Sequence, residues 1–167
     1  MTQRASTTEA KARDRQILAG RRFLVVDDHP YMIEVIGEIL RHYGAADVER
    51  ADGVQSALAR CSARDPFDCI ICDFNMKPVN GVQLLQAVRS GKRPELKREQ
   101  AFILLTGHGD MDVVKAAKGL DVNAYVVKPV AADTFIKAVT RALESPPALK
   151  PAADYERVSI AELRRFQ

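Results

Sequence analysis

The sequence predicts an α/β domain built on a parallel sheet. From residue 22 onward, short runs of β-branched and aliphatic residues alternate with longer segments whose apolar residues recur at helical spacing. Five such strand and helix units follow one another, which is typical of parallel strands joined by crossover helices. The chain has 167 residues, which is enough for one well-buried domain and too few for two of ordinary size.

The predicted strands are short and mostly apolar, and they lie at 22–26, 47–50, 68–72, 101–105 and 124–127. The helices are entered from turns that contain Gly, Pro, Asn or Asp, and they are predicted at 30–42, 53–63, 81–90, 111–119 and 131–143. In the first of these helices, Pro30 suits a first-turn position and Gly44 follows as a stop.

Two of the three cysteines, Cys69 and Cys72, form a C-x-x-C pattern inside the third predicted strand. Residues three apart on a strand point to opposite faces, so the two sulfurs do not easily share a metal or a disulfide. We therefore expect them to be small buried hydrophobic residues.

Composition excludes some classes of function. The chain is 47% hydrophobic and 28% charged, and it contains no apolar run long enough to span a membrane. It also lacks the apolar stretch of a secretory signal, so we expect a cytoplasmic protein with no membrane role. The net charge of +3 is concentrated in the N-terminal arm and around residues 92–98, which favours a solvated surface over nucleic-acid binding.

Acidic, hydroxyl and basic residues follow the predicted strands at the point where each strand ends. Asp27 and Asp28 close the first strand, Asp73 the third, Thr106 the fourth and Lys128 the fifth. The carboxyl ends of the strands in an open parallel sheet form its ligand crevice, so we expect these side chains to converge on one cleft.

Three carboxylates in one cleft repel each other unless a cation lies between them. Oxygen ligands favour Mg²⁺, whereas the His and Cys sets that suit zinc are absent from these strand ends. One carboxylate can then attack a phosphoryl group, and a lysine and a hydroxyl are suitable donors to the transferring oxygens.

Four segments in this order resemble the motifs of response-regulator receiver domains: VVDDHP, CDFNMKPVNG, ILLTGHG and AYVVKP. The resemblance covers residues 21–144. It implies a doubly wound, flavodoxin-like (βα)5 fold with strand order 2-1-3-4-5, an arrangement for which a member of this family is a standard example.

The resemblance also implies roles for individual residues. Asp73 is expected to be the phosphoacceptor. Mg²⁺ is expected on Asp28, Asp73 and the backbone carbonyl of Asn75, with Asp27 acting through a metal-bound water. Lys128, through a cis peptide to Pro129, and Thr106 are expected to bind the phosphoryl group, and Tyr125 matches the aromatic switch position whose ring moves inward with Thr106.

Other residues near the site are expected to modulate it. Lys77 replaces the proline usual at that position, with Pro78 one place later, and adds a positive charge. Gly107 stands where Ala is frequent and opens access for a phosphodonor. His108 and Asn75 flank the path of attacking water, although His108 could equally be a merely exposed residue.

The receiver resemblance implies a phosphorylation-dependent signalling protein and not an enzyme in the ordinary sense. Its expected partners are a sensor histidine kinase or histidine phosphotransfer protein, and a downstream protein that reads the face formed by the fourth and fifth predicted helices and the fifth strand. A homodimer through that face is a further possibility. An alternative function is that of a phosphorelay intermediate or phosphate sink without its own output. A magnesium-dependent phosphatase is disfavoured because Asp27 and Asp28 are adjacent and not two residues apart.

The two ends lie outside the repeat. Residues 1–20 contain a capping-box spacing at Ser6 to Glu9, which indicates either a short helix or a frayed arm. Residues 145–167 begin with a proline-rich linker and are too short for a DNA-binding module, so no direct DNA binding is expected. A capping-box spacing recurs at Ser159–Glu162, and we expect apolar contacts of the tail with a partner or with its own domain from Val158, Ile160, Leu163 and Phe166.

Overall fold

Five parallel strands form one sheet in the order β2-β1-β3-β4-β5 in a computed structural model of the chain. The structure describes residues 2–63, 65–107, 110–160 and 163. The strands are β1 (Arg22–Val26), β2 (Asp47–Ala51), β3 (Cys69–Asp73), β4 (Ala101–Thr106) and β5 (Ala124–Val127). The predicted fold class and strand order are therefore confirmed.

The helices cover both faces of the sheet. Those of the described residues are α1 (Thr2–Leu18), α2 (Pro30–His42), α3 (Val54–Ala63), α4 (Gly81–Arg89), α5 (Met111–Gly119), α6 (Ala132–Glu144) and α7 (Ala152–Glu156). Each of the five predicted strands and five predicted helices of the repeat begins and ends within one residue of the corresponding observed element.

Two apolar clusters fill the space between the sheet and its helices. Alternation along the strands sends neighbouring side chains to opposite faces, so Cys69 belongs to one cluster and Cys72 to the other. Both thiols are fully buried, and burial raises the pKa of each above its ordinary value. Cys69 and Cys72 are thus small buried residues on opposite faces of the sheet, as predicted.

Helix α1 packs along α6. Its last residue, Leu18, is fully buried in the same cluster as Phe135 and Val139 of α6. Polar contacts accompany this packing, including a hydrogen bond of 3.0 Å from Thr140 Oγ1 to Asp14 Oδ1. The N-terminal segment is therefore a helix docked on the domain.

The C-terminal tail folds back across α4 and α5. The sequence interpretation missed α7, which begins directly after Pro151, and it missed the main contact, since Tyr155 is fully buried. Val158, Ile160 and Leu163 pack against the same cluster, as expected. The predicted capping box includes Ala161 and Glu162, and these residues lie outside the described part of the chain, as does Phe166.

Side-chain amides and hydroxyls fix the position of the tail. Gln86 Nε2 of α4 donates hydrogen bonds to the carbonyl oxygens of Tyr155 and Val158 at 2.8 and 3.0 Å. The Tyr155 hydroxyl donates to Asp121 Oδ2 at 2.7 Å and accepts from the backbone N–H of Lys150 at 3.0 Å. The tail is therefore held by specific polar contacts as well as by apolar burial.

None of the described helices is long and apolar enough to cross a membrane.

Candidate functional site

The strand ends bring the predicted residues to one edge of the sheet. Val26 of β1 is paired with Cys72 of β3, and Asp73 is paired with Leu105 of β4. Thr106 is paired in turn with Val127 of β5. Parallel register thus places Asp27, Asp73, Thr106 and Lys128 side by side, as the sequence predicted from order alone.

Asp73 lies at the centre of this edge and is 2% exposed. Lys128 Nζ is 2.6 Å from Asp73 Oδ1 and 3.5 Å from Asp27 Oδ2. Burial raises the pKa of Asp73, and the charge of Asp27 adds to this, while the hydrogen bond from Lys128 opposes it. Burial alone would lower the pKa of Lys128, but its hydrogen bond and ion pair with Asp73 raise it. The lysine is therefore held as a cation between two carboxylates.

The second carboxylate oxygen of Asp73, Oδ2, is buried and has no hydrogen-bond partner among the described residues. A buried anionic oxygen without a donor is costly, and a bound cation would satisfy it. Asp27, Asp28 and His29 also offer one ligand atom each within 4.8 Å of one another. This donor set, rich in carboxylate oxygens, fits a hard divalent cation such as Mg²⁺.

His29 is a part of the site that sequence reasoning missed. Its backbone N–H donates to Asp27 Oδ1 at 2.8 Å, and its Nδ1 lies 2.8 Å from Asp28 Oδ1 and 3.1 Å from Asp27 Oδ1. The hydrogen bond to Asp27 and the charge of Asp28 raise the pKa of His29. The only sequence signal was its position directly after the aspartate pair.

Asp110 is a second residue that sequence reasoning missed. The Thr106 hydroxyl, which is buried, donates to Asp110 Oδ2 at 3.1 Å. A Cβ on Gly107 would lie 3.2 Å from the same carboxylate oxygen, so the glycine leaves room for this hydrogen bond. The Thr106 hydroxyl therefore donates to its own loop and must exchange that partner before it can donate to another group. His108 lies outside the described residues.

The loop after β3 is built by close backbone approach. A Cβ on Gly81 would lie only 2.4 Å from the carbonyl oxygen of Asp73, so the start of α4 can pack this closely against Asp73 only with glycine there. Asn80 caps α4 in a reciprocal capping box with Gln83. Asn75 and Lys77 lie in the loop between Asp73 and Asn80, and both are exposed.

The peptide bonds from Lys77 to Pro78 and from Lys128 to Pro129 are both cis. The second of these agrees with the expectation for Lys128.

Tyr125 lies away from the carboxylates, on the outer face of β5, and is 37% exposed. The Nζ atom of Lys118 is 5.7 Å from the centre of its ring. The ring therefore points outward, to the surface between α5 and α6, in this state of the molecule.

A family model for the response regulator receiver domain matches residues 23–140. The chain belongs to this family, as the four sequence motifs predicted.

Chemotaxis proteins are among the relatives that match this chain in sequence. The chemotaxis protein CheY of Pseudomonas aeruginosa is 30% identical over 123 residues, which cover 74% of this chain and 96% of that protein. Chemotaxis protein CheY1 of Helicobacter pylori is 34% identical over 108 residues, covering 65% of this chain and 85% of that protein. The chain is thus a homologue of CheY response regulators, which is consistent with phosphoacceptor signalling in a two-component system.

Solved structures show the same fold. Chemotaxis protein CheY4 of Vibrio cholerae matches with a TM-score of 0.65 and 27% identity, covering 75% of this chain and 100% of that one. A receiver domain protein of Clostridium thermocellum matches with a TM-score of 0.66 and 27% identity, covering 74% and 94%. The uncovered quarter of this chain corresponds in size to α1 and the tail.

Proposed function

We propose that Asp73 accepts a phosphoryl group from a sensor histidine kinase or a histidine phosphotransfer protein, and that the modified chain signals by contact with a downstream protein. One observation carries this proposal. Asp73 is a buried carboxylate with a lysine cation on one oxygen and no protein donor on the other, at the sheet edge where receiver domains carry their acidic pocket.

The proposed transfer is a single displacement at phosphorus. A carboxylate oxygen of Asp73 forms the new O–P bond while the N–P bond of the donor phosphohistidine breaks, and the departing imidazole nitrogen takes up a proton. Lys128 stays within reach of the acceptor oxygen and neutralises charge on the transferred group. Hydrolysis by water later returns the Asp73 carboxylate and inorganic phosphate, so the phosphoryl group has a finite lifetime.

Magnesium is the proposed cofactor. The residues that would hold it are Asp28, Asp73, the backbone carbonyl of Asn75, and Asp27 through a water. When bound, the metal supplies positive charge to the phosphoryl oxygens. The unpartnered Asp73 Oδ2 and the clustered carboxylates of Asp27 and Asp28 support this assignment.

Thr106 and Tyr125 are the proposed switch. The Thr106 hydroxyl would leave Asp110 and donate to the phosphoryl group instead, while Tyr125 would move from its exposed position into the space that Thr106 leaves. Lys77, Gly107, His108 and Asn75 are the proposed modulators of access and of phosphate lifetime. The outward ring of Tyr125 is the arrangement expected before modification.

The acceptor assignment is tested with acetyl phosphate as a small phosphodonor, in the presence of Mg²⁺. We expect wild-type protein to form an acid-stable, base-labile phosphoprotein and Asp73→Asn to form none. Asp65→Asn, an exposed carboxylate at the opposite end of the sheet, is the matched control and should be labelled like wild type. Equal labelling of Asp73→Asn and wild type would show that another residue is the acceptor.

A further inference from the structure

His29 stands at the N-cap of α2, but its side chain does not cap the helix. Its backbone is extended, Pro30 follows at the start of the helix, and the imidazole makes no capping hydrogen bond to a described residue. Ser, Thr, Asp and Asn stabilise this position, because their side-chain oxygens accept from the first helical N–H groups. The stability of α2 therefore does not account for a histidine here.

The imidazole is turned toward the carboxylates that follow β1. Its Nδ1 atom lies 2.8 Å from Asp28 Oδ1 and 3.1 Å from Asp27 Oδ1. Ligand atoms on neighbouring corners of an octahedral metal site lie about 3.0 Å apart when the metal–ligand bonds are about 2.1 Å long. Hydrogen bonding thus already holds the nitrogen close to the spacing from both oxygens that one cation needs.

Asp73 gives an independent sign that a cation belongs at this cluster. Its Oδ2 atom is buried and has no hydrogen-bond partner among the described residues, while its Oδ1 atom is 2.6 Å from Lys128 Nζ. The same ammonium group is 3.5 Å from Asp27 Oδ2, so Asp73 and Asp27 share one lysine. The unpartnered oxygen therefore lies beside the cluster that includes His29.

The ring of His29 is accessible to an ion in solution. Its side chain is 64% exposed, whereas that of Asp27 is fully buried. The backbone N–H of His29 donates to Asp27 Oδ1 at 2.8 Å. The residue that offers the nitrogen therefore also fixes the buried carboxylate, and such supporting hydrogen bonds orient the ligands of a metal site.

We propose that His29 Nδ1 is a metal ligand that strengthens binding of a first-row transition ion, such as Co²⁺, relative to Mg²⁺. The proposal rests on the metal site proposed for Asp28 and Asp73, and it adds a nitrogen to that set of oxygens. Mg²⁺ gains little from the nitrogen because it prefers oxygen ligands. Imidazole suits transition ions, whose affinity for such sites rises from Mn²⁺ through Co²⁺ to Cu²⁺.

The test measures binding of Co²⁺ and of Mg²⁺ to the full-length chain, each by isothermal titration calorimetry without a phosphodonor. We expect His29→Asn to weaken Co²⁺ binding about ten-fold and to change Mg²⁺ affinity by less than about two-fold. Asn is a preferred N-cap residue, so the start of α2 is preserved in this variant. His42→Asn, which changes an exposed histidine at the other end of α2, is the matched control and should bind both ions like wild type.

Proton NMR of the Co²⁺-bound protein shows whether the imidazole is bound to the ion. A ring that binds through Nδ1 keeps a proton on Nε2, and the paramagnetic ion shifts that signal far outside the ordinary range. We expect such an exchangeable signal in wild type and in His42→Asn, and its loss in His29→Asn. Asp28→Asn should weaken the binding of both ions, because it removes a carboxylate from the same site.

The proposal is wrong if His29→Asn leaves Co²⁺ affinity unchanged, or if it weakens Co²⁺ and Mg²⁺ equally. A shifted signal that persists in His29→Asn, or one that is lost in His108→Asn instead, would assign the nitrogen to another residue. Unchanged Co²⁺ affinity in Asp28→Asn would place the ion away from this site. Failure of the Asp73 acceptor proposal is distinguishable, because none of these measurements involves phosphoryl transfer.

Discussion

The two sides of α5 differ in how they are used. On one side α5 packs against α4, and the C-terminal tail closes over both helices with Tyr155 fully buried. On the other side Tyr125 is partly exposed beside Lys118, in an open groove with no described carboxylate. One tyrosine is a structural anchor and the other is available to a partner.

The difference shows how a fold that is shared by a family can carry surface features that belong to one chain. The family match ends at residue 140, so α1 and the tail lie outside it or at its edge. Yet these two segments form ion pairs with Asp121, Asp133 and Glu144 of the domain. The shared architecture supplies the site, and the added segments pack on it through contacts of their own.

The largest expected difference between the two sides is in the stability lost when each tyrosine is truncated to alanine. We expect Tyr155→Ala to lower the free energy of unfolding by about 2 to 4 kcal/mol, because it removes a fully buried aromatic side chain. Tyr125→Ala should cost less than about 1 kcal/mol, since its ring is already partly exposed. Equilibrium urea denaturation of both variants measures the difference, and equal losses would contradict the assignment of Tyr155 as the anchor.

Removing only the hydroxyl group of each tyrosine tests how much its hydrogen bonds contribute to stability. Tyr155→Phe leaves Asp121 Oδ2 and the Lys150 N–H without this partner, so we expect a loss of about 1 kcal/mol in the free energy of unfolding. Tyr125→Phe should be neutral within about 0.5 kcal/mol. Hydrogen exchange of the Lys150 amide checks the cause, because protection should fall in Tyr155→Phe and stay unchanged in Tyr125→Phe.

The smallest expected change in stability comes from the α1 ion pair. Arg13 and Glu144 are both well exposed, so Arg13→Gln should alter the free energy of unfolding by less than about 0.5 kcal/mol. Equilibrium urea denaturation of Arg13→Gln and wild type measures this difference. A loss of more than about 1 kcal/mol would contradict the assignment of this pair as a minor surface contact.

Much of the fold could be predicted from the sequence because its signals are local. Apolar runs and helical periodicity gave the strands and helices of residues 22–144, and the order of Asp27, Asp73, Thr106 and Lys128 at strand ends predicted one cleft. The opposite faces of Cys69 and Cys72 followed from strand alternation alone.

The residues that were missed depend on contacts between distant parts of the chain or on side-chain conformation. Tyr155 is buried because α4 and α5 provide a surface for it, and the five residues of α7 are too few to show helical periodicity in the sequence. His29 and Asp110 join the site through hydrogen bonds whose geometry no spacing rule gives. The ion pairs of Asp121 and Glu144 likewise depend on the tail and on α1, which lie outside the repeat.

The central claim is tested most directly by locating the phosphoryl group itself. Protein treated with acetyl phosphate and Mg²⁺ is reduced with borohydride, which converts an aspartyl phosphate to homoserine, and is then digested and sequenced by mass spectrometry. We expect homoserine at residue 73 and unmodified aspartate at residues 27 and 28. Homoserine at residue 27 or 28 with an unchanged Asp73, or phosphate retained on His29, would contradict the account.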